Sequence, residues 1–544
     1  MFTKENFDSY DDLLANYKLD CPDNFNFSYD VLDKMEPGKT ALIHVDDDGT
    51  RREYDFKFFQ EQSCKLANAL MERGVKKDDR VMLVLYRRVE YWTTMLAMHR
   101  IGALPIPSPS LLTKKDISQR VNYAGISAII CEDSICERVN EAKPECPGLN
   151  VLVQVDGKLN DGWLDYEAVI DEGSPACPKT SDTPGGDDNM VIFFSSGTTG
   201  LPKMVLHNFN YPYSHYSTGA LWHDLEDGDI HLTLSDTGWA KSVWGKFYGQ
   251  WMAGAAVFVW DFRGKFEADD LLRIMAENKI TTFCAPPTVY RFLVREDLSK
   301  YDLSALRHCT TAGELLNDSV FYAWKEAFNM PIYEGYGQTE TTLQVATFKF
   351  MEAKPGSIGK PVPGWDIALM DEEGNEVPQG EEGEICIRID KPVLGLFTSY
   401  MDEPEKTASV KFDGWYHTGD KAWADEDGYL WFMGRTDDLI KSSGYRIGPF
   451  EVESALVAHE AIIEAAVTGV PDDVRGQLVK ATVVLAPGFE GNNELTKELQ
   501  TFVRDHTAPY KYPRIIEYVD DLPKTISGKI KRKEIREADA IKYA

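Results

Sequence analysis

Residues 190–203 read "MVIFFSSGTTGLPK", an apolar run followed by glycines and hydroxyl side chains that end in a lysine. The apolar run predicts a buried strand, and the two glycines predict a tight turn whose backbone approaches a ligand closely. Backbone N–H groups, hydroxyls and a cation in one loop form a concavity that binds anions. Because Leu201 and Pro202 separate the second glycine from Lys203, the loop is not a Walker A motif.

The composition is typical of a globular protein with more than one domain. The chain has 544 residues, too many for a single core, and its formal net charge of −30 argues against nucleic-acid binding. The nine cysteines are scattered with no C-x-x-C pair, which predicts buried free thiols. No secretory signal is evident, and the longest apolar run, Trp251 to Trp260, is about half a membrane span. We therefore expect a cytoplasmic protein without a membrane span.

Helical and strand-like patterns alternate along most of the chain. "FFQEQSCKLANALMERG" predicts an amphipathic helix and "RVMLVLY" a buried strand, which together favour an α/β fold with parallel sheet. We predict a large N-terminal domain of layered α/β subdomains at 1–434, a hinge at 435–438 and a small, mobile α+β C-terminal domain at 439–544. The basic segment 528–536, "GKIKRKEIR", is interpreted as a solvated helix face.

Short polar motifs recur after strand-like segments, and each is weak evidence by itself. They are "TAGELL", "YEGYGQTE", "WYHTGD" and "LPKTISGKIKR". A bound nucleotide needs donors and cations for its phosphates, a carboxylate for its ribose hydroxyls and a hard oxygen ligand for its magnesium ion. The opening loop, Asp420 and Glu340 are candidates for these three tasks.

The ordered set of motifs resembles the signature of the acyl-adenylate-forming superfamily. The motifs that carry the resemblance are "SSGTTGLPK", "TAGE", "YGQTE", "YHTGD", "GRTDDLIKSSGYRIGPFEVE" and "PKTISGKIKR", and it covers about residues 35 to 535. "SSGYRIGPFEVE" and "TAPYKYPR" resemble more narrowly the medium-chain acyl-CoA synthetases, within the acetyl-CoA synthetase-like family. The resemblance implies an ATP-dependent carboxylic acid–CoA ligase that forms an acyl-adenylate, releases pyrophosphate and then makes acyl-CoA. It also implies ATP, Mg²⁺ and coenzyme A as cofactors.

The resemblance also implies where the base and the terminal phosphates of ATP bind. The residues that would hold the β- and γ-phosphates are Ser195, Ser196, Thr198, Thr199 and Lys203. Those that would line the adenine pocket are Gly313, Glu314, Glu334, Gly335, Tyr336, Gly337 and Gln338.

The reacting groups are assigned in the same way. Thr339 would contact the α-phosphate, and Glu340 would bind magnesium. Asp420 would accept hydrogen bonds from the ribose, with Arg435 nearby. Lys529 would stabilise charge as the substrate carboxylate attacks phosphorus, so that catalysis rests on positioning and electrostatics.

The resemblance implies a second conformation for the thioester-forming step. The C-terminal domain would pivot at Asp437, and Arg446 would then meet nucleotide phosphate. The residues that would line the coenzyme A tunnel are Ser443, Gly444 and Tyr445. Weaker candidates for coenzyme A phosphates are Arg475, Arg504 and Lys511.

The acyl pocket is predicted from one difference within the family. Acetyl-CoA synthetases carry a tryptophan immediately before "QTE", where this chain has Gly337, so we expect room for several methylenes. Trp239 and Trp244 are candidates to cap the pocket, and Lys241 is a candidate to lie near the substrate. A short- to medium-chain or branched acid is favoured, and aromatic acids such as benzoate stay open.

Other functions share parts of this pattern. A stand-alone adenylation enzyme that loads a carrier protein would use the same first half-reaction, and a luciferase-like oxygenase would need an oxidisable acid. A non-catalytic acyl-CoA or nucleotide binding protein would be expected to lack Lys529 or Glu340, yet the chain has both. Small molecules are the expected partners, and a homo-oligomer is left open.

Overall fold

A computed structural model describes residues 5–195, 202–443, 445–472, 474–524 and 530–543. Several predicted site residues lie outside the described residues: Ser196, Thr198, Thr199, Gly444, Lys529 and the side chain of Arg446. No helix in the described ranges is long and apolar enough to cross a membrane.

The strands follow one another along the chain with these bounds: β1 (Thr40–Asp46), β2 (Arg51–Asp55), β3 (Arg80–Val84), β4 (Leu104–Pro107), β5 (Ala128–Glu132), β6 (Val151–Val155), β7 (Leu164–Asp165), β8 (Asn189–Ser195), β9 (Lys203–Asn208), β10 (Ile230–Thr233), β11 (Ala256–Asp261), β12 (Thr282–Cys284), β13 (His308–Ala312), β14 (Ile332–Tyr336), β15 (Val345–Ala346), β16 (Ser357–Pro361), β17 (Ile367–Met370), β18 (Glu382–Arg388), β19 (Ser399–Tyr400), β20 (Lys411–Phe412), β21 (Trp415–Ala424), β22 (Leu430–Arg435), β23 (Ile440–Ser442), β24 (Tyr445–Ile447), β25 (Ile462–Asp472), β26 (Gly476–Leu485) and β27 (Ile515–Val519).

The α-helices have these bounds: α1 (Tyr10–Asn16), α2 (Phe27–Asp30), α3 (Phe56–Glu72), α4 (Val89–Ile101), α5 (Lys114–Ala124), α6 (Asp133–Ala142), α7 (Tyr166–Glu172), α8 (Tyr211–Tyr216), α9 (Lys241–Gly245), α10 (Tyr248–Met252), α11 (Ala268–Glu277), α12 (Pro287–Leu293), α13 (Asp318–Phe328), α14 (Pro404–Ala408), α15 (Pro449–Val457), α16 (Asn493–His506) and α17 (Arg532–Lys542). Short 3₁₀ turns lie at Leu32–Lys34, Lys143–Glu145 and Leu298–Lys300, and a π-turn lies at Ser217–Trp222.

The largest sheet contains 14 strands within the described residues and changes character at β14. Strands β1, β11, β10, β12, β13 and β14 are neighbours that run parallel. Beyond β14 the neighbours β15, β16, β22, β21, β18 and β17 run antiparallel. The predicted α/β class is confirmed, and the candidate site lies where the parallel and antiparallel halves meet.

Two smaller sheets complete the N-terminal part of the chain. One is parallel, in the order β4, β3, β5, β6, β7, and the other is antiparallel, in the order β19, β9, β8. Helix α3 follows the predicted amphipathic pattern, and its N-cap Asp55 accepts a hydrogen bond from the Phe58 N–H at 2.8 Å. The predicted strand "MVIFF" lies within β8, and its interior residues are buried.

The C-terminal sheet is separate from the others. Strands β24, β23, β26 and β25 are antiparallel neighbours, and β27 joins β26 in parallel. The large sheet ends at Arg435 in β22, and this sheet begins at Ile440 in β23. Asn317 connects the two, because its Nδ2 donates to the Ser454 carbonyl at 3.0 Å. The domain boundary and hinge at 435–438 stay a prediction.

Two expectations about side chains are wrong in part. Arg532 of the basic segment is not solvated, because its guanidinium binds both carboxylate oxygens of Glu453, at 2.9 and 2.6 Å. Arg536 pairs with Asp438.

Of the nine cysteines, Cys64 and Cys177 form a disulfide that joins α3 to the segment after α7. Scattered spacing along the sequence did not reveal that folding places these two thiols together.

Candidate functional site

A cavity of about 300 Å³ lies beside the junction of the two halves of the large sheet. Its lining combines a cation from β9, a carboxylate after β14 and a cation from the end of β22. The lining residues with predicted or observed roles are Lys203, Gln338, Glu340, Tyr400, Tyr416 and Arg435. Charge of both signs and several hydroxyls therefore face one partly open cavity.

Lys203 and Glu340 are linked through Tyr400, which sequence reasoning missed. Because β19 pairs with β9, Tyr400 lies opposite Val205, beside Lys203. Lys203 Nζ donates to Tyr400 Oη at 3.3 Å, and Tyr400 Oη donates to Glu340 Oε1 at 2.8 Å. Burial lowers the pKa of Lys203, while the Glu340 charge opposes that shift. The ammonium is thus placed for a polyanion, and the carboxylate is held in one orientation.

Asp420 is a buried carboxylate at the bend in β21. It is 6% exposed and lies opposite Arg435 of β22 in the strand register. Its Oδ2 accepts hydrogen bonds from Tyr336 Oη at 2.6 Å and Gln338 Nε2 at 2.7 Å. Gln338 Oε1 accepts in turn from Tyr416 Oη at 2.7 Å. This network orients the predicted ribose acceptor and the start of the "QTE" turn together.

The "QTE" turn is also held from β9, on the side of Thr339. His207 Nε2 lies 2.8 Å from the Thr339 carbonyl and donates to it. Burial lowers the pKa of His207 to about 3, so the ring is neutral and has one proton to donate. Ser195, at the end of β8, has a buried Oγ with no hydrogen-bond partner among the described residues.

The "TAGE" segment turns at Gly313, after β13. Gly313 has φ of +101°, a left-handed conformation that favours glycine. Lys241, at the start of α9, lies beneath the turn and donates from Nζ to the Ala312 carbonyl at 2.6 Å. Glu314 is partly exposed and accepts a hydrogen bond from Thr288 Oγ1 at 2.8 Å. Lys241 therefore lies at this turn, next to the predicted adenine residues.

Glu334 has a different position from the one expected for a nucleotide-pocket side chain. Its carboxylate is buried and accepts hydrogen bonds from the Leu316 N–H at 3.1 Å and the Gly356 N–H at 3.0 Å. Burial raises its pKa to about 8. The side chain braces two loops behind β14, so that only its backbone remains to line the predicted adenine pocket.

The room expected at Gly337 is occupied by another side chain. A Cβ on this residue would lie 2.3 Å from Cη2 of Trp244 and 2.5 Å from the Thr342 carbonyl oxygen. Trp244 is 7% exposed, whereas Trp239 is half-buried in the turn before α9. A Cβ on the neighbouring Gly335 would likewise lie 2.6 Å from the ring of Trp222. Glycine is thus required because indoles from elsewhere in the chain press against this strand end.

The predicted coenzyme A residues lie in the C-terminal part, and the described lining of the cavity contains none of them. Ser443 has φ of +53°, and its N–H donates to the Arg475 carbonyl at 2.9 Å. Tyr445 is half-exposed and stacks on Tyr510 with ring centroids 4.0 Å apart. Lys511 pairs with Glu451. Arg504 lies over the ring of Tyr512, 4.7 Å from its centroid. In the predicted hinge, Asp437 accepts a hydrogen bond from Arg435 Nε at 3.1 Å.

Tyr400, Tyr416 and His207 are the site residues that sequence reasoning missed. All three lie on strands, and Tyr416 and His207 share β21 and β9 with the predicted residues Asp420 and Lys203. Tyr416 and His207 stood within or beside motifs already quoted, so their hydrogen-bonding groups were available signals. Tyr400 had no such signal.

Family models and similar proteins match nearly the whole chain. The AMP-binding enzyme family matches residues 32–400, and the AMP-binding enzyme C-terminal domain matches residues 451–529. The mouse protein named acyl-coenzyme A synthetase ACSM3, mitochondrial, is 41% identical over 99% of this chain and 94% of its own length. The rat acyl-coenzyme A synthetase ACSM4, mitochondrial, is 43% identical over 95% of this chain and 91% of its own length.

A solved structure extends the similarity to the fold. The anthranilate CoA ligase AuaEII in complex with anthranoyl-AMP is 30% identical, with a TM-score of 0.87 over 96% of this chain and 98% of that one. The expectation of a cytoplasmic protein is wrong, because the similar curated relatives are mitochondrial proteins. Composition and scattered cysteines indicate a reducing compartment at most, and they do not distinguish one such compartment from another.

The buried Glu334 predicts a pH dependence of stability. The folded state keeps this proton up to about pH 8, whereas an unfolded glutamate loses it near 4.5. Unfolding therefore releases a proton between these values, and stability falls as pH rises through the window, by on the order of a few kcal/mol.

Glu334→Gln removes the titration. Its unfolding free energy should be lower than that of wild type at acid pH, because its amide NH₂ faces one of the two N–H donors, and the difference between the two proteins should shrink as pH rises through the window. Parallel pH curves for the two proteins in chemical denaturation would contradict this account.

Proposed function

Because the chain belongs to the AMP-binding enzyme family and is an acyl-coenzyme A synthetase, an AMP-forming acid–thiol ligase, we propose that its acid is a short- to medium-chain or branched carboxylic acid. The convergence of Lys203, Glu340 and Asp420 near one cavity from three separate motifs supports the ligase chemistry, and the packing of Trp244 beside Gly337 supports the choice of acid. Phosphate, metal and ribose need a cation, a hard oxygen ligand and a hydrogen-bond acceptor, respectively.

In the first half-reaction, the substrate carboxylate attacks the α-phosphorus of ATP. A carboxylate oxygen forms the new bond to phosphorus, and the bond to the bridging oxygen of pyrophosphate breaks. Lys203 neutralises part of the charge on the leaving phosphates, and Asp420 with Arg435 positions the ribose. The Ser195 hydroxyl and the remaining loop residues, Ser196, Thr198 and Thr199, add donors to the phosphates. Lys529 supplies a further positive charge where carboxylate and α-phosphate meet, and Thr339 contacts that phosphate.

Glu340 fits the magnesium ion that the proposal includes. Its carboxylate is 8% exposed, and Tyr400 occupies one oxygen as a donor, which orients the other for a hard cation. Magnesium, when bound with ATP, would screen the phosphate charges during pyrophosphate departure.

In the second half-reaction, the thiol of coenzyme A attacks the acyl carbon of the adenylate. The sulfur–carbon bond forms, AMP leaves, and the thiol proton is released. We assign the pivot between the two states to Asp437, within the hinge 435–438 that joins domains 1–434 and 439–544. The residues proposed to contact coenzyme A or the phosphate in the second state are Ser443, Gly444, Tyr445, Arg446, Arg475, Arg504 and Lys511. A rotation at this pivot would break the hydrogen bonds from Asn317 Nδ2 to the carbonyl and Oγ of Ser454, at 3.0 and 2.9 Å.

The acyl pocket is proposed to end at Trp244. Its indole fills the space beside Gly337, where the acetate-specific relatives place a tryptophan of their own. Lys241 and Trp239 line the approach. The indole of Trp244 comes from α9, whereas the indole of the acetate-specific relatives is attached at the position of residue 337. The two indoles enter from different places in the backbone and are proposed to close the pocket at different depths. This supports an acid longer than acetate and leaves aromatic acids as a second candidate, since a similar structure is an anthranilate CoA ligase.

The overall reaction is tested by pyrophosphate release across linear, branched and aromatic acids of increasing size. Release with a subset of acids, and acyl-CoA formation that requires coenzyme A, are expected. Pyrophosphate release without thioester formation would favour the carrier-protein adenylation enzyme, and absence of both would favour a binding protein. The formal net charge of −30 supports small-molecule partners over nucleic acid. Light scattering on the same sample would determine whether homo-oligomers form.

Removal of Lys529 should separate the two half-reactions. Lys529→Ala is expected to lower adenylation by about a hundredfold or more, because it removes a charge aimed at the transition state. Thioester formation from a supplied acyl-adenylate should stay close to wild type. Lys497→Ala, which removes an exposed lysine of α16, is the control and should change neither rate. Equal loss of both half-reactions in Lys529→Ala would contradict the proposed domain rotation.

Shortening Trp244 should lengthen the preferred acid. In Trp244→Ala, each additional buried methylene is worth about 0.8 kcal/mol, or roughly fourfold in kcat/KM. The optimum across the linear acids should therefore move to longer chains. Trp163→Ala is a matched control, because Trp163 is 5% exposed and lies near the parallel five-stranded sheet. An unchanged acid profile in Trp244→Ala would remove this residue from the acyl pocket.

A further inference from the structure

A cluster of three metal-ligating side chains lies beside the cavity and has no part in the proposed reaction. Glu384 and Cys386 stand two residues apart on β18, on one face of the strand, and Cys386 lies directly opposite His417 of β21. Among the described residues, this is the one group of three or more His, Cys, Asp or Glu whose potential ligand atoms all lie within 4.8 Å of one another.

The distances match those of a small tetrahedral ion. The Nδ1 atom of His417 lies 3.1 Å from Glu384 Oε2 and 3.4 Å from Cys386 Sγ. Zinc bonds of about 2.0–2.3 Å to nitrogen, oxygen and sulfur place neighbouring ligand atoms about 3.3–3.6 Å apart. The third pair, oxygen and sulfur, closes by rotation of Glu384, whose side chain is partly exposed.

The hydrogen bonds of the cluster are incompletely matched without an ion. Both the carboxylate of Glu384 and the thiol of Cys386 point at the same Nδ1 atom of His417. A neutral imidazole has at most one proton at this nitrogen, and that proton serves one acceptor well. One cation between the three atoms would satisfy all of them at once.

The surrounding residues hold two of the ligands in place. The Gly419 N–H donates to Glu384 Oε1 at 2.8 Å, which leaves Oε2 as the ligand atom. The ring of Phe412 stacks on His417 with centroids 3.9 Å apart and planes 2° from parallel. Such outer contacts are the usual means by which proteins fix metal ligands.

An ion has access to the cluster from the cavity side. Glu384 and His417 are 23% and 17% exposed and line the cavity, whereas Cys386 is fully buried behind them. An ion bound by all three would keep a fourth coordination position, and that position would face the cavity that holds Lys203 and Arg435.

We propose that Glu384, Cys386 and His417 form a binding site for Zn²⁺ or a similar soft divalent cation, open towards the cavity. The mixed sulfur, nitrogen and oxygen set favours zinc over Mg²⁺ or Ca²⁺, which prefer oxygen ligands. Binding converts the Cys386 thiol to a thiolate and releases its proton, while His417 would bind through Nδ1 with a proton on Nε2. The thiolate and the Glu384 carboxylate then balance the charge of the ion.

The open position gives the site a consequence for the ligase. Phosphate oxygens that enter the cavity would meet a second, wrongly placed cation, so zinc is expected to inhibit pyrophosphate release. Magnesium at Glu340 would not substitute for it, because sulfur is a poor ligand for magnesium.

The test measures metal binding by the chelator-stripped full chain, without acid, ATP or coenzyme A, so that its failure leaves the ligase proposal untouched. Zn²⁺ is titrated in competition with a chelating dye, and Co²⁺ serves as a spectroscopic probe whose thiolate charge-transfer band reports sulfur ligation. Cys386→Ala removes the buried ligand without touching the cavity lining, and Glu384→Gln removes the carboxylate but keeps the sulfur. Cys146→Ala, at a buried thiol outside the cluster, is the matched control.

Wild type and Cys146→Ala are expected to bind Zn²⁺ with release of one proton and to show the cobalt–thiolate band. Cys386→Ala should lack the band and bind zinc about a hundredfold more weakly or worse, while Glu384→Gln keeps the band with weaker affinity. Zinc should then inhibit wild type but not Cys386→Ala at the same concentration. A cobalt–thiolate band that survives in Cys386→Ala, or wild type that binds no zinc, would overturn the proposal.

Discussion

A carboxylate that is almost removed from water is the constraint on which the candidate site depends. An uncompensated buried charge costs several kcal/mol, so Asp420 needs donors from its surroundings. It receives them from Tyr336, at the end of the parallel half of the large sheet, and from Gln338 just beyond it. The strand that carries Asp420 belongs to the antiparallel half. The same hydrogen bonds therefore join the two halves and shape the cavity between them.

The other functional groups are held by contacts of the same long-range kind. Tyr400 reaches Glu340 only because β19 pairs with β9, and that pairing also places it against Lys203. His207 fixes the Thr339 carbonyl from the same strand. The cation and the two carboxylates proposed to bind metal and ribose are thus oriented without a bound substrate, which is the condition for electrostatic catalysis of phosphoryl chemistry.

Tertiary packing changes the interpretation of two positions, Gly337 and Cys386, that the local sequence suggests. The sequence predicts free space at Gly337, but the indole of Trp244 contacts the position that a Cβ would occupy. Cys386 looks like one more buried thiol, yet the register of β18 and β21 sets it against His417. The bulge between the Glu384 and Cys386 pairings contains Gly419, whose φ of +73° lies next to Asp420, the acceptor of the Tyr336 and Gln338 hydrogen bonds.

The sequence by itself determined the α/β alternation, the helices such as α3 and the order of the polar motifs that are proposed to bind phosphate, metal and ribose. Hydrophobic periodicity and glycine placement are local properties, and a strand or turn needs only its own residues to express them. The ordered motifs likewise identified the family before any contact was known. Only the tertiary structure decided that the Glu334 side chain binds the Leu316 and Gly356 N–H groups, that Trp244 fills the space beside Gly337 and that Tyr400 joins Lys203 to Glu340. These facts arise from side chains that are far apart in the chain, and their pairing depends on strand register and close packing, which no local pattern encodes.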